Sequence, residues 1–110
     1  MKAYLIDELS APDLERIRGF LKENTIASSL EQVYWVRIPD DLLTPTQFEH
    51  RDCQPHVFAV EVGRTWLKLE FFVRSMKRIR CSCPGYCSAS QRNFVINFAD
   101  GLVKKLGIRT

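Results

Sequence analysis

Residues 56–74 read HVFAVEVGRTWLKLEFFVR, and this stretch decides the fold. Two runs of alternating side chains, 56–62 and 66–74, flank the short polar turn 63–65, which is typical of a β-hairpin. One face of the second run is apolar and carries Leu67, Leu69, Phe71 and Val73. Since side chains alternate along a strand, we predict that this face belongs to the core. Its partners across the hairpin are Phe58, Val60 and Val62.

The opposite face of the second strand has a mixed composition. It carries Trp66, Lys68, Glu70 and Phe72. An antiparallel sheet commonly packs one face on the core and leaves the other partly hydrated. We therefore expect this second face to remain available for contact with a partner.

Two amphipathic helices are predicted at either side of the hairpin in sequence. Ser10 is a suitable cap for the first, which we expect over about Pro12–Glu23. Ser88 and Gln91 form a capping box for the second, and Gly107 ends it. Each helix has a single apolar stripe at helical spacing, so each must bury one face.

Three more strands and one short helix complete the prediction. The strands are Lys2–Ile6, Val33–Ile38 and Arg78–Cys83, and the short helix begins at the cap Thr44 and reaches about His50. The order is β-α-β-(short α)-β-β-β-α. It predicts an α+β two-layer sandwich, in which a mainly antiparallel sheet of about 4–5 strands carries the two principal helices on one face.

Size and composition favour one globular domain, residues 1–110. Hydrophobic residues make up 45% and charged residues 26% of the chain, close to the average for folded proteins. No apolar run approaches the length of a membrane span, and the start lacks the pattern of a secretory signal. We expect a cytoplasmic protein without a membrane partner, in which cysteines remain thiols or bind metal.

The charge is unevenly distributed along the chain. Residues 1–55 contain 10 acidic and 6 basic side chains, whereas residues 56–110 contain 3 acidic and 10 basic ones. A polarity of this kind can mark an electrostatic contact surface, unless the two halves interleave in the fold.

Three cysteines, Cys81, Cys83 and Cys87, lie within seven residues and form the most distinctive motif. Zinc takes four soft or borderline ligands in a tetrahedron, and a turn at Pro84-Gly85 would bring the thiols together. Cys53 is the predicted fourth ligand, with His50 and His56 as alternatives for that position.

Two other interpretations of the cysteines stay open. Cys81 and Cys83 would act as small buried apolar residues if they continue the core face of the strand. Cys87 precedes the helix cap Ser88, where the helix dipole favours a reactive thiolate. A Cys53–histidine dyad is a further alternative, although sequence neighbours in a loop seldom have the required geometry.

A basic segment, residues 74–92, overlaps the cysteines. Its candidate contact residues for nucleic acid or a protein partner are Arg74, Lys77, Arg78, Arg80, Arg92 and Tyr86. Cations bind phosphates and exposed aromatic rings stack on bases, which is the combination that single-stranded nucleic acid requires. The alternative is a solvated sheet edge whose charges prevent aggregation.

The sequence contains no P-loop, dinucleotide-binding glycine motif or metalloprotease motif, so an enzymatic role is not favoured. Our leading hypothesis is a non-enzymatic binding or protein-interaction module, without a cofactor, that contacts a protein partner or a second copy of itself. The alternatives are a zinc-binding or thiol-dependent domain at the cysteines and a single-stranded nucleic-acid-binding domain at the basic segment.

Overall fold

The computed structural model describes residues 2–77 and 81–109 and has an α+β fold. The strands are β1 Ala3–Ile6, β2 Ile26–Ala27, β3 Val33–Arg37, β4 His56–Val62, β5 Leu67–Glu70, β6 Phe72–Ser75 and β7 Gly85–Tyr86. The α-helices are α1 Ala11–Asn24, α2 Pro45–Glu49 and α3 Ala89–Lys105. Short 3₁₀ turns at Asp40–Leu42 and Arg51–Cys53 flank α2.

The predicted helix caps are confirmed. The Ser10 hydroxyl accepts a hydrogen bond from the Asp13 backbone N–H at the start of α1. Thr44 begins α2 and Ser88 begins α3, each through a capping box completed by a glutamine. Gly107 follows α3 with φ of +68°, a left-handed conformation that glycine adopts without steric cost.

Every strand pair in the described part of the sheet is antiparallel. The main order is β1-β5-β4-β3-β2, with β6 paired to β4 and β7. The predicted hairpin is confirmed, because Val60 lies opposite Leu69 and Val62 opposite Leu67. Both strands of the hairpin therefore direct the predicted apolar side chains to the same face.

Both long helices cover this one face of the sheet. Phe58 of β4 makes edge-to-face ring contacts with Phe94 and Phe98 of α3, and it belongs to the same buried cluster as Leu14 and Leu21 of α1. On the other face, the predicted set from Trp66 to Phe72 is only partly buried. The two-layer arrangement and its partly open face are thus confirmed.

Two local features differ from the prediction. The strand expected over 66–74 is interrupted at Phe71, and two-residue strands are added at β2 and β7, so the sheet has seven strands within residues 2–77 and 81–109. Of the strand expected over 78–83, residues 78–80 lie outside the described residues, and Cys81–Cys83 have no strand pairing. The chain instead pairs at β7 with β6, since Gly85 and Tyr86 lie opposite Val73 and Phe72.

Within the described residues, no helix combines the length and apolar character needed to cross a bilayer.

Candidate metal centre

Two loops beside the β4–β6 strand pair bring four potential metal ligands together. The first loop follows α2 and carries His50, the residue that ends α2, and Cys53 in the next 3₁₀ turn. The second precedes β7 and carries Cys81 and Cys83. We call these four residues the His-Cys cluster.

The donor atoms of the His-Cys cluster all lie within 4.8 Å of one another. Cys81 Sγ is central, at 2.9 Å from Cys53 Sγ, 3.0 Å from Cys83 Sγ and 2.9 Å from His50 Nδ1. The four cysteines are free thiols. A disulfide would bring two sulfurs to about 2.05 Å, and a zinc tetrahedron with Zn–S bonds of about 2.3 Å has sulfur–sulfur edges of about 3.8 Å. The cluster therefore needs only a small expansion to hold an ion.

Burial differs among the ligands. Cys53 is 3% exposed and Cys83 is 4% exposed, whereas His50 and Cys81 are half-buried. A cavity of about 440 Å³ opens beside them and is lined by Glu49, His50, Arg51, Asp52, Cys53, Cys81 and Ser82. An ion has an entry path on this side, while the Cys83 side is closed by protein.

Mutual hydrogen bonding and burial give the three thiols of the cluster different pKa values. Hydrogen bonds from Cys53 and Cys83 lower the pKa of the Cys81 thiol to about 6. Burial, and then the neighbouring Cys81, raises the pKa of Cys83 to about 12. The hydrogen bond to Cys81, followed by burial, also raises the pKa of Cys53. Adjacent thiolates repel each other, so a bound cation is the natural means of removing the remaining protons.

His56, at the first position of β4, contacts the cluster from the buried side. Its Nε2 lies 3.4 Å from Cys83 Sγ, and the side chain is 1% exposed. Burial lowers the pKa of His56, so the ring is neutral at neutral pH. Its Nδ1 has no hydrogen-bond partner among the described residues. His56 is not one of the four clustered ligands, but it is placed to contact a Cys83 thiolate.

A pair of buried glutamines positions the second loop. Gln47 Nε2 donates to the Cys83 carbonyl at 3.2 Å, and Gln47 Oε1 accepts from Gln91 Nε2 at 2.8 Å. Gln91 Nε2 also donates to the Leu42 carbonyl. Both glutamines are the third residues of their helices and complete the capping boxes of α2 and α3. This glutamine pair connects both helix starts to the cysteine loop.

The structure brings three of the four predicted metal ligands together and separates the other. Cys53, Cys81 and Cys83 are in the cluster with His50, which the sequence suggested as an alternative ligand. Cys87 lies instead in the hydrophobic core, where its backbone N–H donates to the Phe71 carbonyl. Burial raises the pKa of Cys87 to about 11, which disfavours the thiolate expected from its position before α3.

The two glutamines are site residues that the sequence reasoning missed. Thr44-x-x-Gln47 and Ser88-x-x-Gln91 both match the capping-box pattern, which predicts a helix start but no site. One signal in the sequence could have indicated their role. Both capping boxes use a neutral glutamine, where an exposed capping box can use glutamate. A neutral amide has both a donor and an acceptor, so it can cap a helix and still make a second buried contact.

The predicted contact residues of the basic segment lie on and beside the β6–β7 strand pair. Arg74, Lys77, Tyr86 and Arg92 are exposed, and Tyr86 retains 63% of its accessible surface. Arg78 and Arg80 lie outside the described residues. The Tyr86 ring packs edge-to-face against Phe72 at 5.2 Å between centroids.

Comparison with protein-family models, with curated proteins and with solved structures finds no significant match for this chain.

Proposed function

We propose that this chain is a metal-stabilised binding module in which His50, Cys53, Cys81 and Cys83 hold one Zn²⁺ ion. The convergence of four donor atoms within 4.8 Å is the observation that carries the proposal. Three thiolates and one imidazole form a Cys₃His set, which is a common ligand set of structural zinc sites. Bound there, zinc would cross-link the loop after α2 to the loop before β7.

The ligand set favours a structural role over a catalytic one. Catalytic zinc keeps one coordination position for water or substrate, whereas four protein ligands close the tetrahedron. The three sulfur donors also favour zinc over magnesium or calcium, which prefer oxygen ligands. The burial of Cys53 and Cys83 supports a site that is part of the fold.

Metal analysis of the purified protein tests this proposal directly. We expect about one zinc per chain, and Co²⁺ substitution should give the intense visible bands of tetrahedral thiolate coordination. C83S should abolish high-affinity binding. C87A is the matched control, because it removes a buried cysteine that lies outside the cluster. Absence of metal together with unchanged melting in strong chelator would contradict the proposal.

A second candidate function is single-stranded nucleic-acid binding at the β6–β7 strand pair. Exposed Tyr86 has Lys2 Nζ at 6.0 Å from its ring centroid, and the adjoining Phe72 has the Arg74 guanidinium at 5.0 Å. Residues 71–99 contain no acidic side chain, although Glu70 pairs with Arg74. This combination of rings and cations supports stacking on bases beside phosphates.

Titration with fluorescent single-stranded RNA and DNA at several salt concentrations tests this second candidate. Affinity should fall as salt rises, and Y86A should weaken binding. R16A is a suitable control, because Arg16 is an exposed cation on α1, remote in sequence from the basic segment. Absence of binding at low salt would rule this function out.

A further inference from the structure

The Cys53 and Cys81 sulfurs lie close enough together to form a disulfide after a small movement. The two Sγ atoms lie 2.9 Å apart and belong to residues 28 positions apart in sequence. Both are free thiols. Because the sulfurs are already close, a bond between them requires a shortening of less than one ångström, to about 2.05 Å.

Access to the cluster is one-sided, and this determines which sulfur meets a solute. The cavity of about 440 Å³ is lined by Cys53 and Cys81, whereas Cys83 is not among its lining residues. Of the two lining cysteines, Cys81 is half-buried and Cys53 is buried. Cys81 is therefore the cluster thiol that a small oxidant in the cavity reaches first.

We propose that Cys81 is a site of oxidation by hydrogen peroxide, which ends in a Cys53–Cys81 disulfide and releases the metal. This inference rests on the metal site proposed above. The oxidised chain would keep only His50 and Cys83 as ligands, too few to hold zinc tightly.

The reaction balances in two steps. The Cys81 thiolate attacks one peroxide oxygen and the O–O bond breaks, which gives a sulfenic acid at Cys81 and one water after protonation. The Cys53 sulfur then attacks Cys81 Sγ, the S–O bond breaks, and the second water leaves. In sum, two zinc-bound thiolates, one peroxide and two protons yield one disulfide, two waters and free Zn²⁺. The sulfurs lose two electrons and the peroxide gains them.

Cys53 is a better resolving residue than Cys83, although Cys83 Sγ is only 3.0 Å from Cys81 Sγ. The Cys83 carbonyl is held by Gln47, and its sulfur contacts His56 on the buried side. A single residue separates Cys81 from Cys83, so a bond between them would close a small ring and displace these contacts. Cys53 instead lines the same cavity as Cys81 and approaches it from the other loop.

Peptide mapping after peroxide treatment of the zinc-loaded protein tests the inference. Trypsin places Cys53 in the peptide 52–64 and the other three cysteines together in the peptide 81–92. Without reduction, we expect these two peptides to be cross-linked through Cys53 and Cys81, and zinc to be released in step, as followed with a chelating dye. C53S should lose the cross-link and accumulate a sulfenic acid at Cys81 that a dimedone probe traps. C87A should behave like the natural sequence.

Three outcomes would overturn the inference: a disulfide within the peptide 81–92, zinc release with Cys53 and Cys81 both unlinked, or full zinc retention after oxidation. Metal content is measured before peroxide is added, and metal-free protein is treated in parallel. A chain that binds no zinc but still forms the Cys53–Cys81 cross-link would contradict the proposed function while supporting the assignment of the oxidised pair.

Discussion

Cys83 and Cys87 are close in sequence but have different surroundings. Cys83 lies against two other sulfurs and the His56 ring, whereas Cys87 lies among the apolar side chains of the core. Because Cys87 is surrounded by apolar groups, ionisation of its thiol is costly in the folded state.

Cys87 should make stability depend on pH in the alkaline range. Burial raises its pKa from 9.0 to about 11, so the unfolded chain loses this proton first. The stabilisation is complete below pH 9 and is lost as the pH rises toward 11. We expect the free energy of unfolding of zinc-loaded protein, measured by urea titration between pH 8 and pH 10.5, to fall more steeply than that of C87A. Parallel pH profiles would contradict this.

His56 should strengthen metal binding without being a ligand. A Cys83 thiolate can only accept a hydrogen bond, so in the metal-bound state Nε2 must carry the proton and donate it. H56F removes this donor, and we expect a loss in zinc affinity of about 10–100-fold. Competition with a chelating dye measures the affinity, and the sulfur-to-cobalt absorption of the Co²⁺ form should shift. H56Q, which keeps a donor, should recover part of the loss. Equal zinc affinity of the natural sequence, H56F and H56Q would contradict a contribution of His56 to metal binding.

At the residue scale, the sequence predicted that cysteines converge but not which side chains complete the cluster. Three cysteines close in sequence indicated a soft-metal site, but spacing alone could not say which thiols would point the same way. The fourth member is His50 and not Cys87, because Cys87 lies among the apolar side chains of the core. Gly85 of the predicted Pro84-Gly85 turn lies in β7 instead, and the pairing of β7 with β6 places Cys87 beside Phe71 in the core.

Among the elements, the starts of α2 and α3 are linked through Gln47 and Gln91. Q91A removes the donor to the Leu42 carbonyl, one of the two donors to Gln47 Oε1, and the capping box of α3. We expect a loss of about 1–3 kcal/mol in the free energy of unfolding. Since Gln47 also holds the Cys83 carbonyl, zinc affinity should fall as well. Q32A is the control, because Gln32 is exposed and its loss should change stability little. An unchanged free energy of unfolding in Q91A would contradict a stabilising role of the Gln47–Gln91 pair.

The hairpin turn should not tolerate a side chain at Gly63. A Cβ there would overlap the Trp66 indole ring, while the Gly63 backbone N–H already donates to the Trp66 carbonyl. We expect G63A to lower the free energy of unfolding by about 1–3 kcal/mol.

Gly101 gives the matched control for G63A. It is an exposed position within α3, with nothing within 4 Å of an added Cβ. G101A should raise stability by roughly 0.5–1 kcal/mol, because alanine favours helix. Thermal denaturation measures both effects. Equal changes of stability in G63A and G101A would contradict the expectation that Gly63 is sterically restricted and Gly101 is not.

The sequence predicted the longer elements well because their signals are local. Caps at Ser10, Thr44 and Ser88 and the alternation along β4 and β5 depend on neighbouring residues only. The two-residue strands β2 and β7 carry no such pattern, since they exist only through pairing with β3 and β6. The break at Phe71 likewise depends on a distant residue, as its N–H donates to the Lys2 carbonyl.

On the scale of the whole molecule, the hydrophobic core and the His-Cys cluster are separate. The buried apolar cluster joins the sheet to α1 and α3 and includes neither Cys53 nor Cys83. We therefore expect chelation to lower the melting temperature while far-UV circular dichroism changes little. At a free zinc concentration of 100 times Kd, zinc binding would add about 2.7 kcal/mol to the free energy of unfolding.

Hydrogen exchange should localise the effect of chelation to the two loops. Amides of residues 50–54 and 81–83 should lose protection, whereas those of β4 and β5 should keep it. Global unfolding on chelation would contradict this separation, because it would mean that the core cannot fold without the ion.

The ligands of the His-Cys cluster come in two pairs that lie on either side of the hairpin in sequence, at 50–53 and at 81–83. During synthesis on the ribosome, the first pair therefore emerges well before the second, and two ligands alone bind zinc weakly. By the time the second pair emerges, the whole hairpin has been made and can fold. At the proposed metal site, capture of the ion would thus be a late event in biogenesis, and nascent chains that end before residue 81 should carry none.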